Sequence, residues 1–398
     1  MKQKILISSL LLVLLLAACA PAQTTALPAA TTAPQQAADT AVNAQQVIYS
    51  PTIAVNTDTL NTVQTTFQQI YQNVNPSVVN IQVTEDMGGF GAASGQGSGF
   101  VWDTEGHIVT NNHVVENASS ITVTFADGTI LDAELVGADP ESDLAVIKVD
   151  PGAVELRPVT LADSRAVQVG DLVIAIGNPY GLSGTMTQGI ISALSRSLTV
   201  EDSSSFPNSS VTGSYAIPDI IQTDAAINPG NSGGVLVDVD GQVVGVTAAI
   251  QSTSGSNAGI GFVIPAHIVQ RVVPVLIKDG AYEHPRLGIS GTTLTPAIAR
   301  KVGLDESLRG ALVITVTPRG PAAKAGLQGS TEQRSRSGQS TLVSAGDVIT
   351  AIDGQTIQSF DDLASYLFNY TEVGQTVQLT ILRDDQEMTL PVTLAALP

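Results

Sequence analysis

The sequence predicts a mainly β chain, built of antiparallel barrels and followed by a smaller α+β unit, and three observations lead there. From Val79 the apolar residues come in short alternating runs, Val79, Ile81 and Val83, then Ile121, Val123 and Phe125, and a period of two is what a half-buried strand requires. Asp127-Gly128 and Asp240-Gly241 mark hairpin turns, the second between residues 235–239 and 243–246. Ser359 with Asp362 reads as a capping box, and Phe360, Leu363, Ala364 and Leu367 behind it share one face of a helix.

The start of the chain has another character. Lys2 and Lys4 precede an unbroken apolar run from Ile5 to Leu16 and then Ala17-Ala18-Cys19, so residues 1–18 read as a secretory signal, too short for a comfortable membrane span. Residues 19–58, rich in Ala, Thr, Gln and Pro, read as a flexible tether. Leu60, Val63, Phe67, Ile70, Tyr71 and Val74 then recur at helical spacing and open the folded part. Residues 265–278 form a helical exit from the barrels that Pro274 is expected to kink or shorten. A new unit begins near Tyr282.

Composition excludes several classes of function. With 398 residues and 43% hydrophobic content the chain can bury two or three cores. Its formal charge of −19, without a Lys/Arg cluster, argues against nucleic acid as a partner and against attraction to anionic lipid head groups. Cys19 is the only cysteine, which rules out an intramolecular disulfide and a cysteine nucleophile in the folded part. There is no His-Glu-x-x-His and no paired His/Cys spacing, so neither a metal nor a cofactor is expected.

Gly230-Asn231-Ser232-Gly233-Gly234 sets a hydroxyl on a glycine-rich bend whose amides are able to face a developing oxyanion. The pentapeptide alone is equally a flexible turn. Upstream stand His113, in Thr110-Asn111-Asn112-His113-Val114-Val115, and Asp143, in Ser142-Asp143-Leu144-Ala145-Val146, and the order His, Asp, Ser is that of chymotrypsin. His107 and Asp139 compete with them. Asp143 leads because it opens an apolar, strand-like run, whereas His267 and His284 fall outside the barrels. Ser94-Gly95-Gln96-Gly97-Ser98-Gly99 lacks the ending of a phosphate loop and is expected to be a mobile loop before a strand.

The flanks decide the matter. The segment 222–234, Gln-Thr-Asp-Ala-Ala-Ile-Asn-Pro-Gly-Asn-Ser-Gly-Gly, resembles the nucleophile segment of the HtrA/Deg family of serine proteases. Further matches are Gly97-Ser98-Gly99-Phe100, the His113 and Asp143 segments, Gly177-Asn178-Pro179 and Gly259-Ile260-Gly261-Phe262-Val263-Ile264-Pro265. Val235 departs from the Pro or Ala often found there. The resemblance implies a chymotrypsin-like double barrel over residues 59–278 with the triad in the cleft, Ser232 as nucleophile, His113 as base and Asp143 as its orienting partner. It also implies an oxyanion hole in Gly230, Asn231 and Ser232, lined by the amides of Gly230 and Ser232. The S1 pocket would fall at Ala226 and Ile227, neither able to pair with a charged side chain. Ala17-Ala18-Cys19 resembles a lipobox, with a lipidated Cys19 anchoring an extracytoplasmic protein in the periplasm or on the outer cell surface. A homotrimer built through the leading helix is expected as well, packing of that helix on its own barrel being the alternative.

Arg286-Leu287-Gly288-Ile289, residues 310–314, Pro321-Ala322-Ala323-Lys324-Ala325-Gly326-Leu327 and residues 345–349 resemble the landmarks of a PDZ domain spanning 281–398. The amides of Leu287, Gly288 and Ile289 would then capture hydrophobic peptide C-termini. Residues 328–344 are an insertion relative to that pattern and are expected to form a mobile surface loop. Asn231 stands where zymogen-activated relatives carry an aspartate, so order in the site must come from neighbouring loops, residues 195–215 foremost. The expected function is an ATP-independent serine endoprotease acting on unfolded or damaged proteins and regulated by its PDZ domain. The alternative is a non-catalytic peptide-binding chaperone or scaffold.

Overall fold

The computed structural model describes residues 57–86, 92–179, 184–200, 215–248, 259–334 and 340–396. The signal segment, nearly all of the tether with Cys19, and the middle of 195–215 lie outside the described residues. Among the described residues no helix is long and apolar enough to cross a membrane.

Two closed six-stranded barrels form the first part. In one, β1 (Val78–Asp86), β2 (Ala92–Val101), β3 (His107–Thr110), β4 (Ser120–Thr124), β5 (Ile130–Asp139) and β6 (Leu144–Lys148) close in the order β1-β2-β3-β6-β5-β4. In the other, β7 (Leu172–Gly177), β8 (Thr185–Val200), β9 (Tyr215–Thr223), β10 (Val235–Val237), β11 (Val243–Ala248) and β12 (Gly261–Pro265) close as β10-β11-β12-β9-β8-β7. The alternation in the sequence has a direct structural meaning. Val79, Ile81 and Val83 fill the first barrel with Ala145 and Ile147, while Val78, Leu144 and Val146 join Ile174, Ile176 and Val235 in a second core between the barrels. Strands buried on both faces build that seam, and closure leaves no exposed sheet edge.

Both hairpins read from Asp-Gly pairs are present, with Gly128 and Gly241 at positive φ. The segment 94–99 is not a loop: all of it lies in β2, paired with β1 in register from Val78↔Phe100 to Asp86↔Ala92. Its small residues let neighbouring backbone approach, and the ladder outweighs their low strand propensity.

Helix α1 (Thr57–Val74) packs Ile70 and Val74 into the seam core and leaves Leu60 57% and Val63 42% exposed. Within the first barrel's loops lies the one-turn α2 (Asn112–Val115). Helix α3 (Ala266–Asp279) runs through Pro274 to a left-handed Gly280 cap and is not shortened.

The remainder is a sheet in the order β13 (Ile289–Thr293), β14 (Ala311–Val316), β17 (Val348–Ile352), β19 (Thr376–Arg383), β20 (Gln386–Thr393), with β18 (Gln355–Thr356) on β17. It carries α4 (Pro296–Val302), α5 (Pro321–Ala325) and α6 (Phe360–Tyr370), the last with the expected Ser359/Asp362 capping box. The insertion departs from expectation, since it contains a two-stranded hairpin, β15 (Thr331–Arg334) with β16 (Ser340–Ser344). Its base is fixed by Asp347, fully buried, which takes a bidentate pair of 2.6 Å hydrogen bonds from Arg383 and another from the Gln328 N–H.

Phe368 of α6 is buried in the core between the barrels. Its ring stacks on His284 at 5.0 Å, and the Arg271 guanidinium lies 5.5 Å from its centroid. Phe368→Ala is expected to lower stability by about 3 to 5 kcal/mol, read as an earlier thermal transition of the full chain, with Phe368→Leu recovering most of the loss.

Candidate active site

Asp143 sits at the tip of the β5–β6 turn in the left-handed region, φ 53°, a conformation that Asp tolerates better than most residues. Its N–H donates to the Pro140 carbonyl, and its own carbonyl accepts from the Asn112 N–H and from Asn111 Nδ2. The buried carboxylate thereby points at α2. It accepts the His113 main-chain N–H at 3.0 Å and faces His113 Nδ1 at 2.8 Å through Oδ2 and 3.0 Å through Oδ1. A carboxylate on Nδ1 selects the tautomer with the proton there and leaves the lone pair on Nε2. The imidazole keeps 41% of its surface exposed, whereas the carboxylate keeps 6%. Desolvation is the largest single influence on His113 and lowers its pKa. The hydrogen bond and charge of Asp143, with the charge of Glu116, act upward and leave it above that of an ordinary histidine.

Ser232 is buried on the bend between β9 and β10. Asn228-Pro229-Gly230-Asn231 closes as a turn through a 2.9 Å bond from the Asn231 N–H to the Asn228 carbonyl. Gly230, at φ 95°, makes it type II, with proline and glycine at the two positions that prefer them. That bond engages the Asn231 amide within the turn and leaves those of Gly230 and Ser232, the two read from the sequence, as the candidates for an oxyanion. Gly233, at φ 83°, is required as well: a Cβ there would stand 2.1 Å from the Ser98 carbonyl oxygen. The Asn231 side chain is buried, and its Oδ1 has no partner among the described residues.

The rivals have other partners. His107 Nδ1 lies 2.7 Å from Asp103, and Lys148 stands 3.4 Å from its Nε2. Asp103, Glu105 and His107 bring ligand atoms within 4.8 Å of one another. Asp139 accepts from Ser142 Oγ at 2.5 Å and faces His284 Nε2 at 2.9 Å. His267 lies 2.8 Å from Ser164 Oγ and 3.2 Å from Asp219.

Ala226 is half-buried, with its carbonyl accepting from Thr187 Oγ1, and Ile227 packs in the second barrel's core, within reach of Gly261. Leu287 is buried in the sheet's core. The Leu287 and Gly288 carbonyls accept from Ala322 and Thr317, and Ile289 pairs with Val316 at the start of β13, the end strand of its sheet. Two groups that sequence reasoning missed join this sheet to the barrels. Asn369 of α6 donates to Asp219, which also accepts from Ser195 at 3.0 Å. Arg286 forms an ion pair with Glu141, two residues before Asp143.

Comparison with known proteins agrees with this architecture. The trypsin-like peptidase domain family matches residues 97–246, and the PDZ domain family matches residues 285–394. Protease Do-like 1 of the Arabidopsis thaliana chloroplast is 40% identical over 367 residues, covering 89% of this chain and 76% of that protein. The periplasmic serine endoprotease DegP of Escherichia coli is 40% identical over 300 residues, covering 75% of this chain and 56% of DegP, so the chain spans little more than half the length of such relatives. Among solved structures, the HtrA-type protease AlgW with a tripeptide superposes with a TM-score of 0.65 at 36% identity, over 83% of this chain and 97% of AlgW. With a trypsin-like double barrel, one PDZ domain and these relatives, the chain belongs to the HtrA/Deg family of serine proteases.

Proposed function

We propose that the chain is a serine endopeptidase that hydrolyses unfolded or damaged polypeptides outside the cytoplasm. The observation that carries this reading is the His113–Asp143 pair, a partly exposed imidazole held by a buried carboxylate with its Nε2 lone pair free of that bond. Ser232 Oγ attacks the scissile carbonyl while His113 Nε2 takes its proton, and the imidazolium is stabilised by Asp143. The oxyanion is received by the Gly230 and Ser232 amides. His113 then protonates the leaving amine, and water repeats the sequence on the acyl-enzyme. A non-catalytic scaffold would have no use for this pair.

The rest of the reading is finer. Residues 1–18 are a lipoprotein signal and 19–58 a tether, followed by a protease domain over 59–278 and a PDZ domain over 281–398. Lipidated Cys19 holds the enzyme at a membrane. DegP relatives are named as periplasmic, which supports an extracytoplasmic site of action. The exposed Leu60 and Val63 of α1 support assembly into a homotrimer. AlgW was solved with bound tripeptide and decapeptide, which supports peptide capture by Leu287, Gly288 and Ile289 along β13. The bond from Asn369 of α6 to Asp219, which Ser195 also reaches, supports regulation of the protease through that helix.

Ser232→Ala and His113→Ala are each expected to reduce turnover of an unfolded substrate on the order of 10⁴-fold or more without a change in circular dichroism; activity surviving in Ser232→Ala would reject the nucleophile. Only neutral His113 acts as base, so a raised pKa moves the rising limb of kcat/KM to a higher pH than an ordinary histidine gives. In Asp143→Asn that limb is expected to move down in pH while the rate falls. Cleavage should follow small or medium aliphatic residues such as Val, Ala or Ile, because Ala226 and Ile227 offer no counter-charge; mass-spectrometric mapping dominated by Arg or Lys would contradict this. Intact-mass analysis is expected to show a lipid on Cys19 and its loss from membranes in Cys19→Ala, and an unmodified N-terminus further along the chain would overturn the anchor.

A further inference from the structure

The Ser98 hydroxyl lies fully buried where the two barrels meet. Its oxygen accepts the Asn178 N–H at 2.8 Å, and its proton goes to the Gly230 carbonyl at 2.6 Å. An amide N–H only donates and a carbonyl only accepts, so both directions are fixed. The main chain of the same residue adds two ties: its N–H donates to the Ser232 carbonyl at 2.7 Å, and its carbonyl accepts from Thr110 Oγ1 at 2.7 Å.

We infer that Ser98 is a positioning residue of the oxyanion hole, its hydroxyl setting the direction in which the Gly230 N–H points; this rests on the serine-protease reading above. The central peptide of the turn, between Pro229 and Gly230, has two orientations. Type I places Gly230 at negative φ and type II at positive φ, and passage between them reverses the Gly230 N–H. Glycine is at ease on either side, so the residue itself does not choose. Its surroundings do. The next peptide, 230–231, is held from both sides, by the bond from Asn231 N–H to the Asn228 carbonyl and by Ser98 Oγ on the Gly230 carbonyl. Pro179 packs on Gly230 so closely that a Cβ there would be 2.7 Å from the proline Cβ.

Pro179 is placed by the same hydroxyl. The preceding Asn178 is held at its N–H by Ser98 and at its carbonyl by Asn80 Nδ2, 2.8 Å away. One side chain thus fixes both the turn that carries the amide and the segment packed against it. Removing the hydroxyl leaves a donor on Asn178 and an acceptor on Gly230, both buried and both without that partner, and the turn gains a reason to reorient. Among the described residues the Ser98 hydroxyl bonds only main-chain groups of Gly230 and Asn178, so its effect on catalysis is expected in the tetrahedral state, through the amide it positions.

The test uses full-length wild type, Ser98→Ala and Ser98→Thr. Each is measured for kcat and KM on a peptide substrate, for inhibition by a peptide boronate that forms a tetrahedral adduct, and for inhibition by the product peptide capped as its C-terminal amide, which fills the same subsites without an anionic oxygen. Losing one oxyanion donor costs about 10²- to 10³-fold in kcat. Ser98→Ala is expected to lose on the order of 10²-fold in kcat and in boronate affinity alike, while KM and product-peptide affinity hold and Ser98→Thr recovers most of the loss. Should Ser98→Ala not fold, Ser98→Cys, whose thiol is only a weak donor, is read the same way. Unchanged boronate affinity in a reactive protein, or an equal loss for boronate and product peptide, would overturn the positioning role and leave the protease reading standing. A wild type that binds no boronate and takes no fluorophosphonate label would overturn both.

Discussion

The proposed catalytic constellation is drawn from two barrels, and the hydrogen bonds across their seam decide whether its halves meet. His113 and Asp143 belong to the first barrel's loops and Ser232 to the second's. Ser98 on β2 and Asn80 on β1 reach across to residues 178, 230 and 232. These polar groups stand in the same seam as Val78, Phe100, Leu144 and Val235. In such surroundings a satisfied hydrogen bond is strong, and an unsatisfied one is costly. Hydrophobic burial brings the barrels together. The polar ties choose one register among the many that apolar contact alone would allow.

A second set of contacts links that site to the PDZ sheet. Asp139 and Ser142, in the turn that ends at Asp143, are joined to His284, which stacks on Phe368 of α6. The same helix reaches Asp219 and Ser195 through Asn369. Both Asp219 and Ser195 adopt positive φ, at 61° and 52°, on strands whose register shifts between them. Irregular backbone of this kind is where a strand pair accommodates a change most easily. Movement of α6 therefore has two places to act, one beside Asp143 and one on the β8–β9 arm.

Most of the proposed site was legible because it depends on residue type and order. A histidine, an aspartate opening an apolar run and a serine among glycines can be found without coordinates, and so can strands with period two and a capping box. What escaped depends on partners distant in sequence. Ser98 looked like part of a glycine-rich loop, since Gly and Ser favour neither strand nor helix, and only the long ladder with β1 makes it a strand. Phe368 stands four residues after Ala364, at the edge of the face read from Phe360, Leu363, Ala364 and Leu367, but it packs into the core shared with the barrels and not into the sheet's own core, a partner that spacing does not reveal. The hairpin in the insertion is mostly polar, its two apolar residues Leu342 and Val343 stand next to each other, and so no alternation announces it. The engagement of the Asn231 amide follows from a turn type that Pro229-Gly230 already encoded, so a closer reading of those two residues would have found it.

The central claim is that the seam presents Ser232 and two amides, those of Gly230 and Ser232, to a single tetrahedral oxygen. It is tested most directly by a crystal structure of the full chain inactivated with a peptidyl phosphonate. The account predicts phosphorus bonded to Ser232 Oγ, one phosphonyl oxygen about 2.7 to 3.1 Å from both amide nitrogens, and the Asn231 N–H still on the Asn228 carbonyl. An adduct on another residue, or an oxygen received by Asn231 in place of Gly230, would contradict it.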